Sequence, residues 1–187
     1  MAVKTKSKKD KIERSTEIPH GMTAEVAGHN LTLKKEGKSL SKTFLGIKVE
    51  KHENSVVFSS PKSSKNERKL IMTYAAHLQN MIKGLEKEFS YKLKVCSVHF
   101  PMTVTVDKGT HQLVVKNFLG EKKERRARIL PHVNVEVKGD EIFVTSHDVE
   151  NAGQTAANFE TVTKVNYRDR RVFQDGIFLT ERKGEKI

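Results

Sequence analysis

The stretch Met22-Thr23-Ala24-Glu25-Val26-Ala27-Gly28-His29-Asn30-Leu31-Thr32-Leu33 alternates apolar and polar side chains, turns at Ala27-Gly28-His29 and alternates again. That is the period-two pattern of a strand, a turn and a returning strand. It occurs a second time: Met102-Thr103-Val104-Thr105-Val106 alternates, Asp107-Lys108-Gly109 turns, and Leu113 and Val115 follow. Gly37-Lys38 breaks the first run and Gly120-Glu121-Lys122 the second. Further extended segments follow in each copy, around Ile47, Val49, Val56 and Phe58 in one and Val133, Val137, Ile142 and Val144 in the other, with Lys138-Gly139-Asp140 as a hairpin turn.

Each copy closes with a helical pattern. Leu70, Ile71, Tyr74, Leu78, Met81, Ile82, Leu85 and Phe89 recur at three- and four-residue intervals, one apolar stripe, and Ser64 with Glu67 reads as a capping box that starts it. Ala152, Ala156, Phe159 and Val162 mark a shorter helix, with Asp148 or Asn151 as its cap. Gly28 to Gly109 and Phe58 to Phe143 are spaced by 81 and 85 residues, from which a tandem duplication is inferred. The fold class expected is α+β, each unit a mostly antiparallel sheet packed against one helix in two layers. Residues 1–20 read as a basic arm, 21–90 as the first domain, 91–182 as the second and 183–187 as a polar tail, with a further strand at Gly176-Ile177-Phe178-Leu179.

The chain has 187 residues, 35 of them Lys or Arg and 23 Asp or Glu, a formal net charge of +12. With 36% hydrophobic residues it supports modest cores, and no run approaches the roughly 18 apolar residues of a membrane span. The N-terminus lacks the apolar segment of a secretory signal, and the single Cys96 forms no internal disulfide, so a reducing cytosol is expected. The charge suggests a polyanionic partner. It concentrates in two places: Lys116, Lys122, Lys123, Arg125, Arg126 and Arg128, diluted by Glu121 and Glu124, and then Lys164, Arg168, Arg170 and Arg171 with Asp169. Asn117 and Phe118 precede the first cluster and Tyr167 and Phe173 bracket the second, a mixture suited to RNA, whose phosphates take guanidinium groups and whose bases stack on rings. Asp175-Gly176 reads as a tight turn that presents Arg170 and Arg171.

Catalytic constellations are missing from the pattern. Cys96 and His99 are the one close Cys–His pair and lack the further ligands of a zinc site; Cys96 reads as a small apolar filler. Leu119-Gly120-Glu121-Lys122 lacks the spacing of a phosphate loop. No cofactor, metal or small-molecule substrate is expected.

The segments His77-Leu78-Gln79-Asn80-Met81-Ile82-Lys83-Gly84, His99-Phe100-Pro101, Asn117-Phe118-Leu119-Gly120-Glu121-Lys122 and Arg171-Val172-Phe173-Gln174-Asp175-Gly176-Ile177-Phe178 resemble, in order and spacing, the universal large-ribosomal-subunit protein six family in its archaeal and eukaryotic branch, counted as nine in eukaryotes. The resemblance runs from about Ile18 to Arg182, with Thr161 where the branch has Gln and Phe178 where it has Tyr. It implies two similar domains, no catalysis, a place in the cytoplasmic ribosome, and binding of large-subunit rRNA mainly by the second domain, near the stalk base and the sarcin–ricin region where translational GTPases land. Asn117, Lys122, Lys123, Arg125, Arg126, Arg168, Arg170, Arg171 and Lys183 are the expected rRNA contacts, with Gly120, Phe173, Asp175 and Gly176 as scaffold. Neighbouring large-subunit and stalk-base proteins are further expected partners. The alternatives are a basic nucleic-acid-binding module outside the ribosome and an enzyme with an anionic substrate.

Overall fold

The computed structural model describes residues 12–61 and 64–187. It divides into two compact units, one through Glu86 and one from Lys87. The first contains β1 (Ile12–Glu17), β2 (Thr23–Ala27), β3 (Asn30–Lys35), β4 (Lys38–Thr43), β5 (Lys48–His52), β6 (Ser55–Ser60) and α1 (Lys65–Glu86). The second contains β7 (Phe89–Cys96), β8 (Thr103–Asp107), β9 (Gln112–Lys116), β10 (Arg125–Arg128), β11 (Asn134–Lys138), β12 (Glu141–Ser146), α2 (Val149–Val162), β13 (Gly176–Arg182) and β14 (Glu185–Lys186). Among the described residues no helix is long and apolar enough to cross a membrane.

The duplication is a repetition of pairing. In the first unit β6 lies between β1 and β5, and β3 between β2 and β4; in the second β12 lies between β7 and β11, and β9 between β8 and β10. All these pairings are antiparallel. Each unit thus holds two small sheets under one helix, because the glycine turns fold the middle three strands into a separate meander. The second unit adds β13 on the free side of β7, with a bulge between Leu179 and Glu181.

Alternation sets the cores. Val56 and Phe58 of β6 point inward with Leu31 and Leu33 of β3, and Ile71, Ala75, Leu78, Ile82 and Leu85 of α1 cover them. Phe44 meets Phe58 edge-on at 5.4 Å and Tyr74 at 4.8 Å. In the second unit Tyr91, Leu93 and Val95 of β7 pack with Ile142 and Val144 of β12 beneath Ala152, Ala156 and Phe159 of α2. A Cβ on Gly153 would stand 3.3 Å from the Tyr91 hydroxyl, so glycine lets α2 settle close to β7. Asp148 caps α2, accepting the Glu150 N–H at 2.9 Å.

Several expectations are corrected. Ile12–Glu17, expected within the basic arm, is a strand whose buried Thr16 pairs with Val56; Lys4, Lys6, Lys8, Lys9 and Lys11 of the arm lie outside the described residues. Glu185–Lys186, expected in the polar tail, pairs back onto β13. Phe89 ends the helical spacing by coincidence, since it opens β7 against Ser146. Phe58 corresponds to Val144 rather than Phe143: Val49 pairs with Phe58 and Val135 with Val144. Phe143 faces the other side of its sheet, under the ammonium groups of Lys92 and Lys138, each 5.4 Å from the ring.

That register yields a test. Phe58→Ala empties a buried site and lowers stability in urea unfolding by about 3–5 kcal/mol, whereas Phe143→Ala, on a half-exposed face, lowers it by about 1–2 kcal/mol. Equal losses would contradict the assigned register.

Candidate nucleic-acid interface

The site begins at the turn after β9. Asn117, Leu119 and Gly120 take φ values of 58°, 50° and 77°, a left-handed run that folds Phe118 underneath the chain, where it is buried. Asn117 steadies the run by donating its amide to the Pro101 carbonyl at 2.9 Å. Gly120 suits the turn because its φ is positive, and the Phe100 ring lies in ordinary contact beside it, 3.5 Å from where a Cβ would stand. Asn117 is therefore a turn residue as much as a surface amide.

Arg125 occupies the centre. Its guanidinium lies over the Phe118 ring at 4.3 Å and grips Glu121 with two bonds, 2.8 Å and 2.6 Å long. A third nitrogen donates to the Val162 carbonyl at 2.8 Å and to that of Lys164 at 3.4 Å, at the end of α2. The bidentate pair has the strong fork geometry, and the bonds to the helix end satisfy carbonyls that have no partner inside the helix. All three guanidinium nitrogens of this arginine are thus engaged inside the unit. Its neighbour Arg126 points to the opposite face of β10, as period two dictates, and is exposed with Arg128. Glu124 accepts from Lys116 at 2.9 Å and Arg126 at 3.2 Å. These bonds, the one from Lys116 foremost, hold its carboxyl below the ordinary range.

The second basic segment arrives at the same place. Glu121 is held low mainly by its bonds from Arg125, and the charge of Arg168 adds to the effect. Arg168 stacks over Phe173 at 4.7 Å, and His99 stacks on the same ring at 4.9 Å. The His99 ring meets Asp175 through Nδ1. Asp175 is buried, and its other oxygen accepts the backbone N–H groups of Val98 at 2.7 Å and His99 at 3.0 Å. Burial alone would raise its pKa, but the His99 bonds and the Val98 N–H together bring it below the usual 3.8.

Asp175-Gly176 is therefore not a local turn. Gly176 has φ of 152° and opens β13, where a Cβ would crowd the Phe178 ring at 3.3 Å, while Asp175 reaches across to a loop far away in sequence. The turn that presents Arg170 and Arg171 is made by Asp169, whose side chain accepts the Arg171 N–H at 2.9 Å and whose carbonyl accepts those of Val172 and Phe173.

Lys122, Lys123, Arg126, Arg168, Arg170 and Arg171 are exposed, carried by two segments that Arg125 draws together. Lys183 is exposed as well but lies on neither segment. It turns at the far end of β13, next to the Arg182–Tyr91 pairing, roughly 20 Å from Gly176 at ~3.3 Å per residue. Beside Asp175 lies a cleft of about 610 Å³ whose lining includes Cys96, Glu160, Thr163, Lys164, Arg170 and Phe178. No group of three or more potential metal ligands occurs among the described residues. His99, whose partner is remote, and Phe100, whose ring lies on Gly120, stand in one of the segments that carry the family resemblance but are not among the expected site residues.

The chain is thus a duplicated α+β scaffold whose second unit carries an exposed surface of cations and rings. Residues 100–176, which contain nearly all of that surface, match the family model described as Ribosomal protein L6. Over 178 residues the chain is 42% identical to large ribosomal subunit protein uL6 of Methanococcus vannielii, covering 94% of this chain and 97% of the relative. It is 41% identical to uL6 of Methanosarcina mazei, over 91% and 97%, and 41% identical to that of Aeropyrum pernix, over 91% and 94%. The chain belongs to the uL6 family of ribosomal proteins, whose members are structural and not enzymes.

Asp175 supplies a test of the site's frame. Because its pKa is depressed on folding, its stabilisation is present above the ordinary carboxylate value and is lost as pH falls through and below 3.8. Asp175→Asn should cost about 1.5–3 kcal/mol at neutral pH, the worth of bonds to a charged acceptor. In thermal unfolding from pH 7 to pH 3, the difference from the parent should shrink at the acid end; an unchanging difference would assign the loss to something other than this charge.

Proposed function

We propose that the chain is a non-catalytic component of the large ribosomal subunit in the cytoplasm and that its second unit grips large-subunit rRNA. Family membership carries the first part of this reading. The observation that carries the second is the meeting of residues 121–126 with residues 164–171 around Arg125, which turns two distant charge clusters into one exposed face. Lys122, Lys123, Arg168, Arg170 and Arg171 position phosphates there, a task that needs charge and fixed geometry rather than base-by-base reading, while Arg126, on the opposite face of β10, offers its charge on the other side of the strand. Asn117, Gly120, Arg125, Phe173 and Asp175 shape the loops behind them. Lys183, at the other end of β13, stands apart from this face.

By the family resemblance this face lies near the sarcin–ricin region and the stalk base, where it helps form the landing region of translational GTPases, with neighbouring stalk-base proteins as partners. The first unit acts as a spacer and protein-contact module. Its exposed Leu45 and Met72 suit the second of these roles.

Filter binding of large-subunit rRNA across a salt series tests the face. Lys122→Ala with Lys123→Ala, or Arg170→Ala with Arg171→Ala, should weaken binding and reduce the log–log salt slope by about 0.7–0.9 for each phosphate that is no longer neutralised. Affinity and slope both equal to the parent's would remove that pair from the interface.

A further inference from the structure

Tyr167 has a geometry that phosphate binding leaves unexplained. Its side chain is wholly exposed, at 107% of the reference area. Its φ is +58°, in the left-handed region that disfavours side chains with a Cβ, and it is the one Tyr or Phe so placed among the described residues. Strain of this kind persists only where the surroundings hold it, and it gathers at functional positions.

The loop that carries the ring is tied on both sides. Upstream, Arg125 bonds the Val162 and Lys164 carbonyls. Downstream, Arg168 is stacked on Phe173, and Asp169 closes its turn with the N–H groups of Arg171, Val172 and Phe173. A ring held out into water between fixed flanks is offered to a partner. Its company indicates which kind: Arg168, Arg170 and Arg171 follow within four residues without a hydrophobic neighbour until Val172, so the partner is anionic as well as flat. Of the eight exposed large apolar side chains among the described residues, Tyr167 lies within the face itself and Val98, Phe100, Val172 and Phe178 lie on the segments that adjoin it. Phosphates alone would make no use of them.

We propose that Tyr167 is a base-stacking platform: the RNA held by this face presents an unpaired nucleobase that lies on the tyrosine ring while Arg170 and Arg171 hold the flanking phosphates. The partner is then a loop, bulge or strand end rather than an uninterrupted duplex, whose bases have no free face to give. This rests on the rRNA reading above and goes further, since it assigns one residue a contact that charge does not supply.

Stacking and ion pairing separate by salt. With large-subunit rRNA as the probe, Tyr167→Ala should bind about 5- to 150-fold more weakly, the worth of one base–ring stack, with the salt slope of the parent. Tyr167→Phe and Tyr167→Trp should bind within about twofold of the parent, because either ring supplies a stacking face. All three should melt with the parent, the ring being outside the core. Undiminished binding by Tyr167→Ala overturns the proposal, as does a loss that also lowers the salt slope, which would mean that the arginine loop had moved. If the unaltered protein fails to retain rRNA, the rRNA reading falls and this inference with it, an outcome distinct from the other two.

Discussion

The guanidinium of Arg125 makes one surface out of two pieces of chain. It is clamped by Glu121 on its own segment, floored by Phe118, and bonded to carbonyls at the end of α2. That tie adds to the bond from Asn158 to the Arg128 carbonyl and to the packing of Ala127 and Ile129 with α2, and it brings residues 121–125 against the start of the loop after α2. An arginine suits the place because its planar fork serves a carboxylate, two carbonyls and a ring face together, which the point charge of a lysine does not.

A second anchor works from below. Asp175 is charged and buried, a combination tolerated only when partners replace the lost water. Two backbone N–H groups and the His99 ring do so. Through His99 and Phe173 the anchor leads to Arg168, so a surface cation stands at the end of a series of touching groups that starts at a buried carboxylate. The two anchors explain why the arginine loop can be irregular in backbone and still hold a fixed shape.

Much of the frame is legible in the sequence because it is local. The hairpins before and after Leu31 and Leu113 follow from alternation around glycine turns, and α1 follows from its apolar spacing. What escapes is what depends on distant partners. Arg125-Arg126-Ala127-Arg128 looks like one patch of charge, yet it is a strand, and period two sends Arg125 inward over Phe118 while Arg126 faces water. Thr16 reads as part of a polar arm until Val56 is found beside it. Asp175-Gly176 has the composition of a tight turn, but its acceptors are satisfied from residues 98 and 99. Phe143 mimics Phe58 in spacing and faces the other way, a one-residue offset that reverses the side of a strand. The repeat also shows where the units differ: both share one pairing scheme, and the second adds β13, β14 and the arginine loop before them.

That the ribosome's RNA covers this joined face is tested most directly by lysine-modification mass spectrometry on intact large subunits, compared with the free chain. Lys122, Lys123 and Lys164 should be shielded in the subunit and regain reactivity after ribonuclease digestion. Reactivity at those three lysines equal to that of the free chain would contradict it.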